Sequence, residues 1–280
     1  MNLMPKIWLA YGLICVFLSA FLVVIISTSR LFSRSFYRLV VIHLVFTIFG
    51  WIYSWPSRIV YTEDTSYFAK TLFQHSPRLF RSFMFLGIAL LHVQSWSSIV
   101  ICINKLRTAN PEKYEERNKW WNRWCLLIYG VILILSLLAA NYLAIVPSVN
   151  YVPELGRLQY TVWSLGDAIM IIFLVAAFII LYILIGLVIG LITICKFRKH
   201  QDKGFHHSSV VILAHTFFRV FCLSLLLASF FIRIENFTSE FMFTIFDVMS
   251  FSMTFILLIY DENVRMALRT ATDSEGLVDE

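Results

Sequence analysis

From Ala168 to Ile194 the chain runs through 27 residues without a single charged side chain. As an α-helix rising about 1.5 Å per residue, such a run exceeds the roughly 30 Å hydrocarbon layer of a bilayer. It therefore crosses a membrane with tilt, or projects beyond it. Lipid offers no partner to backbone N–H and C=O groups, so a run of this kind must be helical. Six further runs are comparable: Ile7–Ile26, Leu39–Ile59, Ser82–Asn104, Cys125–Val146, Val210–Ile232 and Phe241–Tyr260. The spacing predicts an all-α, polytopic membrane protein. Residues 1–280 form one domain, a seven-transmembrane helix bundle, and residues 261–280 form a cytoplasmic tail.

Composition agrees. The chain is 59% hydrophobic and 14% charged, against about a quarter charged in a soluble domain. A net charge of +6 could suit nucleic acid. Here, however, the lysines and arginines sit in short loops between apolar runs, as membrane topology requires. The expected environment is the lipid bilayer, with no nucleic acid. Fifteen of the 23 basic residues fall in the segments after spans one, three, five and seven, and seven fall in the others. This bias predicts an extracellular N-terminus and a cytoplasmic C-terminus. The first run suits a spanning helix better than a cleaved signal peptide, and no small-x-small cleavage site follows it. Cys15, Cys102, Cys125, Cys195 and Cys222 lie within or at the ends of apolar runs. No disulfide framework or zinc spacing is expected from them.

Several local features refine the picture. Pro56 is expected to end or kink the second helix near Trp55, leaving Arg58 and a polar loop, Tyr61–Phe80, outside. Trp120, Trp121 and Trp124 precede the fourth run, at the depth of the lipid headgroups. Gly186 and Gly190 form a small-xxx-small pattern in the fifth run, suited to close helix packing. Asn236-Phe237-Thr238 is a glycosylation sequon with Asn236 as the candidate acceptor.

Polar residues inside the runs are costly in lipid and must face a protein interior or a watery cavity. Span three carries His92, Ser95 and Trp96 on one face at i, i+3 and i+4. These residues and Asp247 are the candidate ligand contacts. Span seven places Thr244, Asp247, Ser250 and Thr254 on one face. Span six places His215 and Arg219 on one face at i and i+4. Asp247 and Arg219 are the deeply placed acid and base, and an ion pair between them is expected. That pair either biases the resting state or is purely structural; the alternative is that the two residues make separate hydrogen bonds. His43 in span two reads as structural.

Three stretches resemble the nematode serpentine receptors of class gamma. The first is Ser35-Phe36-Tyr37-Arg38-Leu39-Val40, with Trp51-Ile52-Tyr53-Ser54-Trp55-Pro56-Ser57-Arg58 at the far end of the same span. The second is Ile103-Asn104-Lys105-Leu106-Arg107-Thr108, followed by Tyr114 and Trp120. The third is Leu257-Leu258-Ile259-Tyr260-Asp261-Glu262-Asn263-Val264-Arg265. The resemblance implies a GPCR-like chemoreceptor of the plasma membrane that acts through a heterotrimeric G protein. Lys105 departs from the arginine usual in the family; it keeps the charge but loses the planar fork. Thr254 stands where a proline is common, and His43 where an acid is expected.

Two other functions compete. A membrane-embedded enzyme would need clustered histidines or acids to hold metal. His200, His206 and His207 share one basic loop without acids at ligand spacing apart from Asp202, and no Gly-x-Ser-x-Gly or His-Glu-x-x-His pattern occurs. No catalytic residue, metal ligand or cofactor is therefore expected. A transporter would show paired repeats and broken helices, and no repeat between halves is visible. The reading is a two-state bundle that binds an unidentified small molecule among spans three, five, six and seven. It signals through a face edged by Lys105, Arg107, Lys196 and Arg198. Oligomers remain compatible with it.

Overall fold

Each apolar run lies in an α-helix that starts upstream of it, the last residues of two runs, Val146 and Ile232, falling outside the described residues. The computed structural model describes residues 3–29, 32–61, 67–108, 111–145, 147–152, 154, 157–162, 164–199, 203–231 and 238–275. The helices are α1 (Leu3–Thr28), α2 (Ser35–Tyr61), α3 (Tyr67–His75), α4 (Pro77–Thr108) and α5 (Tyr114–Ile145). They continue with α6 (Leu165–Lys199), α7 (Lys203–Phe231), α8 (Thr238–Tyr260) and α9 (Glu262–Glu275). Seven of these, all but α3 and α9, are long and apolar enough to cross a membrane. The protein is a multi-pass membrane protein built as a seven-helix bundle.

Helix starts follow ordinary capping chemistry. Ser164 caps α6 by accepting from the Asp167 amide at 3.1 Å, and its hydroxyl donates to the Asp167 carboxylate at 2.8 Å. Pro77 opens α4, where a missing N–H costs nothing. In α5 Lys119 pairs with Glu115 one turn earlier at 2.8 Å, an exposed pair worth little energetically. Asp261 caps α9 by accepting from the Val264 amide at 3.2 Å.

Pro56 does not end the second helix. Helix α2 passes through it to Tyr61, because losing one backbone donor is tolerable where neighbouring helices hold the segment. Arg58, expected in a loop, is consequently a helical residue and is buried. The segment expected as a polar loop contains α3. A further element lay outside the sequence expectations: β1 (Pro147–Val152) and β2 (Arg157–Val162) form an antiparallel hairpin, with Asn150 opposite Gln159 and Tyr151 opposite Leu158. Its Val149 and Leu158 pack with Val60, Phe80 and Met84, closing the bundle end that carries the N-terminus.

Close approach at the centre of the bundle depends on glycine. A Cβ on Gly87 of α4 would stand 2.7 Å from the carbonyl oxygen of Tyr53 on α2. One on Gly186 of α6 would stand 2.8 Å from Val220 of α7. Outward faces are largely apolar, as with Phe17 on α1, Leu126 on α5 and Phe173 on α6. Lipid covers such surfaces without penalty, so the polar side chains gather inside.

Candidate functional site

The interior polar residues fall into layers along the bundle axis. At the N-terminal end, Arg58 of α2 donates from Nη1 to Asp247 Oδ2 on α8 at 2.8 Å, and its Nη2 contacts Oδ1. The Tyr11 hydroxyl of α1 donates to the same carboxylate. The guanidinium is further held by Ser54 Oγ at 2.9 Å. Around it lie the rings of Trp8, Trp55 and Phe243, at 5.4, 5.7 and 5.1 Å from the guanidinium carbon. Trp8 Nε1 donates to Thr244 at 3.2 Å. A charge taken out of water is stabilised here by a bidentate partner and aromatic faces.

The expected pair between Arg219 and Asp247 is not formed. Asp247 is taken by Arg58, which the expected helix boundary had removed from consideration. Arg219 of α7 instead faces α4, donating from Nη2 to Ser95 Oγ at 3.0 Å. Helical periodicity told which residues share a face on α7 and α8, but not which helix each face meets.

Mid-bundle, His215 of α7 bridges α4 and α8. Its Nε2 lies 3.1 Å from Ser98 Oγ and its Nδ1 3.1 Å from Ser252 Oγ. His43 Nδ1 lies 3.0 Å from Ser97 Oγ, and the two imidazoles stand edge to face, 5.7 Å apart. Gln94 accepts from Ser250 at 2.9 Å. These bonds join α2, α4, α7 and α8, with His43 as the member from α2.

His92, Ser95 and Trp96 come together around Tyr182 of α6. His92 Nδ1 lies 2.9 Å from the Tyr182 hydroxyl, with Phe178 edge-on at 4.8 Å. Trp96 stands edge-on to Tyr182 at 5.7 Å. Below this aromatic group is a cavity of about 30 Å³ between α4, α6 and α7, lined by Ser95, Ser98, Cys102, Tyr182, Thr216 and Arg219 among others. Asp247 is absent from its wall and belongs to the layer at the N-terminal end.

At the opposite end parts of the three stretches carrying the family resemblance meet, the first through Ser35 and Tyr37. Asn104 of α4 donates to Ser35 Oγ at 3.0 Å, and the Ser35 amide donates to Asn118 Oδ1 at 2.8 Å. The Tyr37 hydroxyl donates to both Asp261 oxygens, at 3.2 and 3.1 Å. Asn263 Nδ2 donates to that hydroxyl at 2.9 Å. Burial pushes the Asp261 carboxyl above its ordinary range, opposed by the Val264 amide, the Tyr37 hydroxyl and the Lys105 charge. Lys105 sits 6.0 Å from the Phe36 ring and lines a pocket with Tyr37 and Asp261.

Arg107 and Lys196 lie elsewhere at this end. They border a groove of about 710 Å³ with Arg117, Trp120, Arg123 and Trp124. Lys196 donates to the Leu106 carbonyl at 3.2 Å, tying α6 to α4. Three of the four basic residues read as one edge are thus divided between two hollows. Arg198 is the penultimate residue of α6, its side chain outside the description, and Asn236 lies outside the described residues. Among the described residues no group of three histidines, cysteines or acids could hold a metal ion.

Sequence reasoning missed Arg58, Tyr11, Tyr182 and the pairing of Cys102 with Thr216 at 3.2 Å. For Arg58 a signal existed: a single arginine within the aromatic stretch Trp51–Val60. The tyrosines gave none, because a tyrosine in an apolar helix is also an ordinary lipid-facing residue.

Comparison with known proteins agrees with this architecture. Residues 6–268 match the profile of the family described as Srg family chemoreceptor. The chain is also similar to serpentine receptor class gamma-53 of Caenorhabditis elegans, at 32% identity over 273 residues, covering 95% of this chain and 91% of that protein. The match spans all seven membrane helices and the stretches that converge at Asp261, and the chain belongs to the Srg family of chemoreceptors.

Proposed function

We propose that the protein binds a small molecule between α4, α6 and α7 and relays that binding to a heterotrimeric G protein at the plasma membrane. Supporting this, the cavity holds several polar side chains midway along three apolar helices, where each would otherwise be costly in lipid. Its walls come from three helices, so an occupant that fits one arrangement better than another shifts the population between them. The positive-inside bias supports an extracellular N-terminus and a cytoplasmic tail beginning at Asp261. On that orientation the signalling face includes Lys105 in its pocket, Arg107 and Lys196 on the groove, and Arg198 at the foot of α6.

The test is calcium imaging of cells that display the chain, challenged with a panel of small organic compounds. Expected is a response that disappears with Tyr182→Ala, despite normal surface display, and with a blocker of G-protein activation. Epitope tags at the two termini should stain only the N-terminal one on intact cells. If both stain, or neither does, the orientation and the coupling proposed here fall together. A current or uptake carried by the chain alone would favour a transporter.

A further inference from the structure

Arg219 stands near the middle of α7, with a side chain that the fold leaves half satisfied. It is 4% exposed. Nη2 has Ser95, while Nη1 has no hydrogen-bond partner. Among the described residues no ion pair includes Arg219, and Asp247 is already held by Arg58. Among the described residues the ionisable groups coupled to it are Cys102, Tyr182, Cys222, His43 and His215, and none of these is a carboxylate. A charged arginine at this depth calls for a counter-charge.

The cavity lies against this guanidinium. Ser98, Tyr182 and Thr216 supply hydroxyls to its wall, and Ile189 and Leu223 supply apolar surface. The cavity holds about 30 Å³ as the helices stand, so a ligand larger than a small polar group enters only as α4, α6 and α7 move apart. A planar guanidinium with a spare donor, flanked by hydroxyls, is suited to a two-oxygen anion.

We propose that Arg219 is the recognition group for an anionic ligand: an amphiphile whose carboxylate takes the open Nη1 donor, and whose apolar body lies against Ile189 and Leu223. This rests on reading the chain as a small-molecule receptor and names the ligand class. The carboxylate supplies the counter-charge that no described side chain provides, so binding discriminates against a neutral compound of the same shape.

Thermal unfolding of the purified full-length protein tests it, with straight-chain carboxylates from acetate to octanoate as probes and the matching primary amides as controls. At least one acid should raise the midpoint while its amide does not. Arg219→Gln should weaken that acid's apparent affinity at least tenfold, and Arg219→Lys should retain part of it. Ser98→Ala, which keeps the guanidinium and removes one hydroxyl of the cavity wall, should weaken it about threefold, so the test survives if Arg219→Gln fails to fold. A panel in which no acid outperforms its amide overturns the proposal. So does an equal shift with Arg219→Gln.

The two readings fail differently. Acid-dependent stabilisation with no cellular response to any compound keeps the anion site and rejects the receptor mechanism. Cellular responses to neutral compounds alone, with no acid-dependent shift, keep the receptor and reject the anion site.

Discussion

Arg58 and Asp247, 189 residues apart in sequence, meet inside the bundle as a buried ion pair with Nη1 2.8 Å from Oδ2. The contact joins α2 to α8, and Tyr11 brings in α1. Removing one member leaves the other as an uncompensated charge in low dielectric. Asp247→Ala or Arg58→Ala should therefore lower stability by about 3–5 kcal/mol and strongly reduce surface display. The exchange of both, Arg58→Asp with Asp247→Arg, should recover part of the loss. Flow cytometry of a surface tag measures this. Equal display for the single variants and the wild type would show that the pair does not hold the helices.

The glycines at closest approach should be intolerant. Gly87→Val drives a side chain against the Tyr53 carbonyl, a backbone atom that cannot step aside. Overpacking of this kind costs about 1–3 kcal/mol. Gly130 of α5, which has nothing within 4 Å of a built Cβ, is the control. Gly130→Ala should leave the unfolding temperature unchanged or slightly raised, while Gly87→Val lowers it by several degrees.

Tyr182→Phe removes the partner of His92 and leaves the ring nitrogen without its hydrogen bond. A buried polar group left unsatisfied costs about 1–3 kcal/mol. His92→Leu with Tyr182→Phe, which removes both ends, should lose less than the two single changes added together. A double-mutant cycle on unfolding midpoints gives the coupling, and strict additivity would mean the bond contributes nothing.

Asp261 makes the opposite end pH-sensitive. Its carboxyl is raised in the folded protein, chiefly by burial, so the folded state binds this proton more tightly than the unfolded chain does. Its contribution to stability is then greatest in acid and declines as pH rises from the ordinary aspartate range through the folded value. The wild-type unfolding midpoint, compared with Asp261→Asn, should show this decline only where Asp261 is present. Parallel pH profiles for the two proteins would remove Asp261 as the cause.

The candidate site was partly legible. His92, Ser95 and Trp96 fall on one face of one helix, and periodicity alone reveals such a set. Arg219 and Asp247 were recognisable as costly residues that need company, yet their partners were misassigned. Arg58 was hidden by Pro56, since proline's usual effect on a helix is suppressed when surrounding helices brace the segment. The β-hairpin gave no clear sign, because its short strands derive their order from packing on Val60 and Phe80.

What the amino-acid sequence determined unaided is the number of crossings, their approximate limits and the bias of positive charge between the two faces. Each depends on transfer energies along a single segment, and those are local. Only the tertiary structure decided which charge meets which: Arg58 with Asp247, Arg219 with an open donor beside a cavity, and Tyr37 with Asp261. In a bundle, every helix offers several neighbours at nearly equal distance. The choice among them depends on small residues such as Gly87 and Gly186 setting how closely each pair approaches. That is a property of the assembled set, and no single helix encodes it.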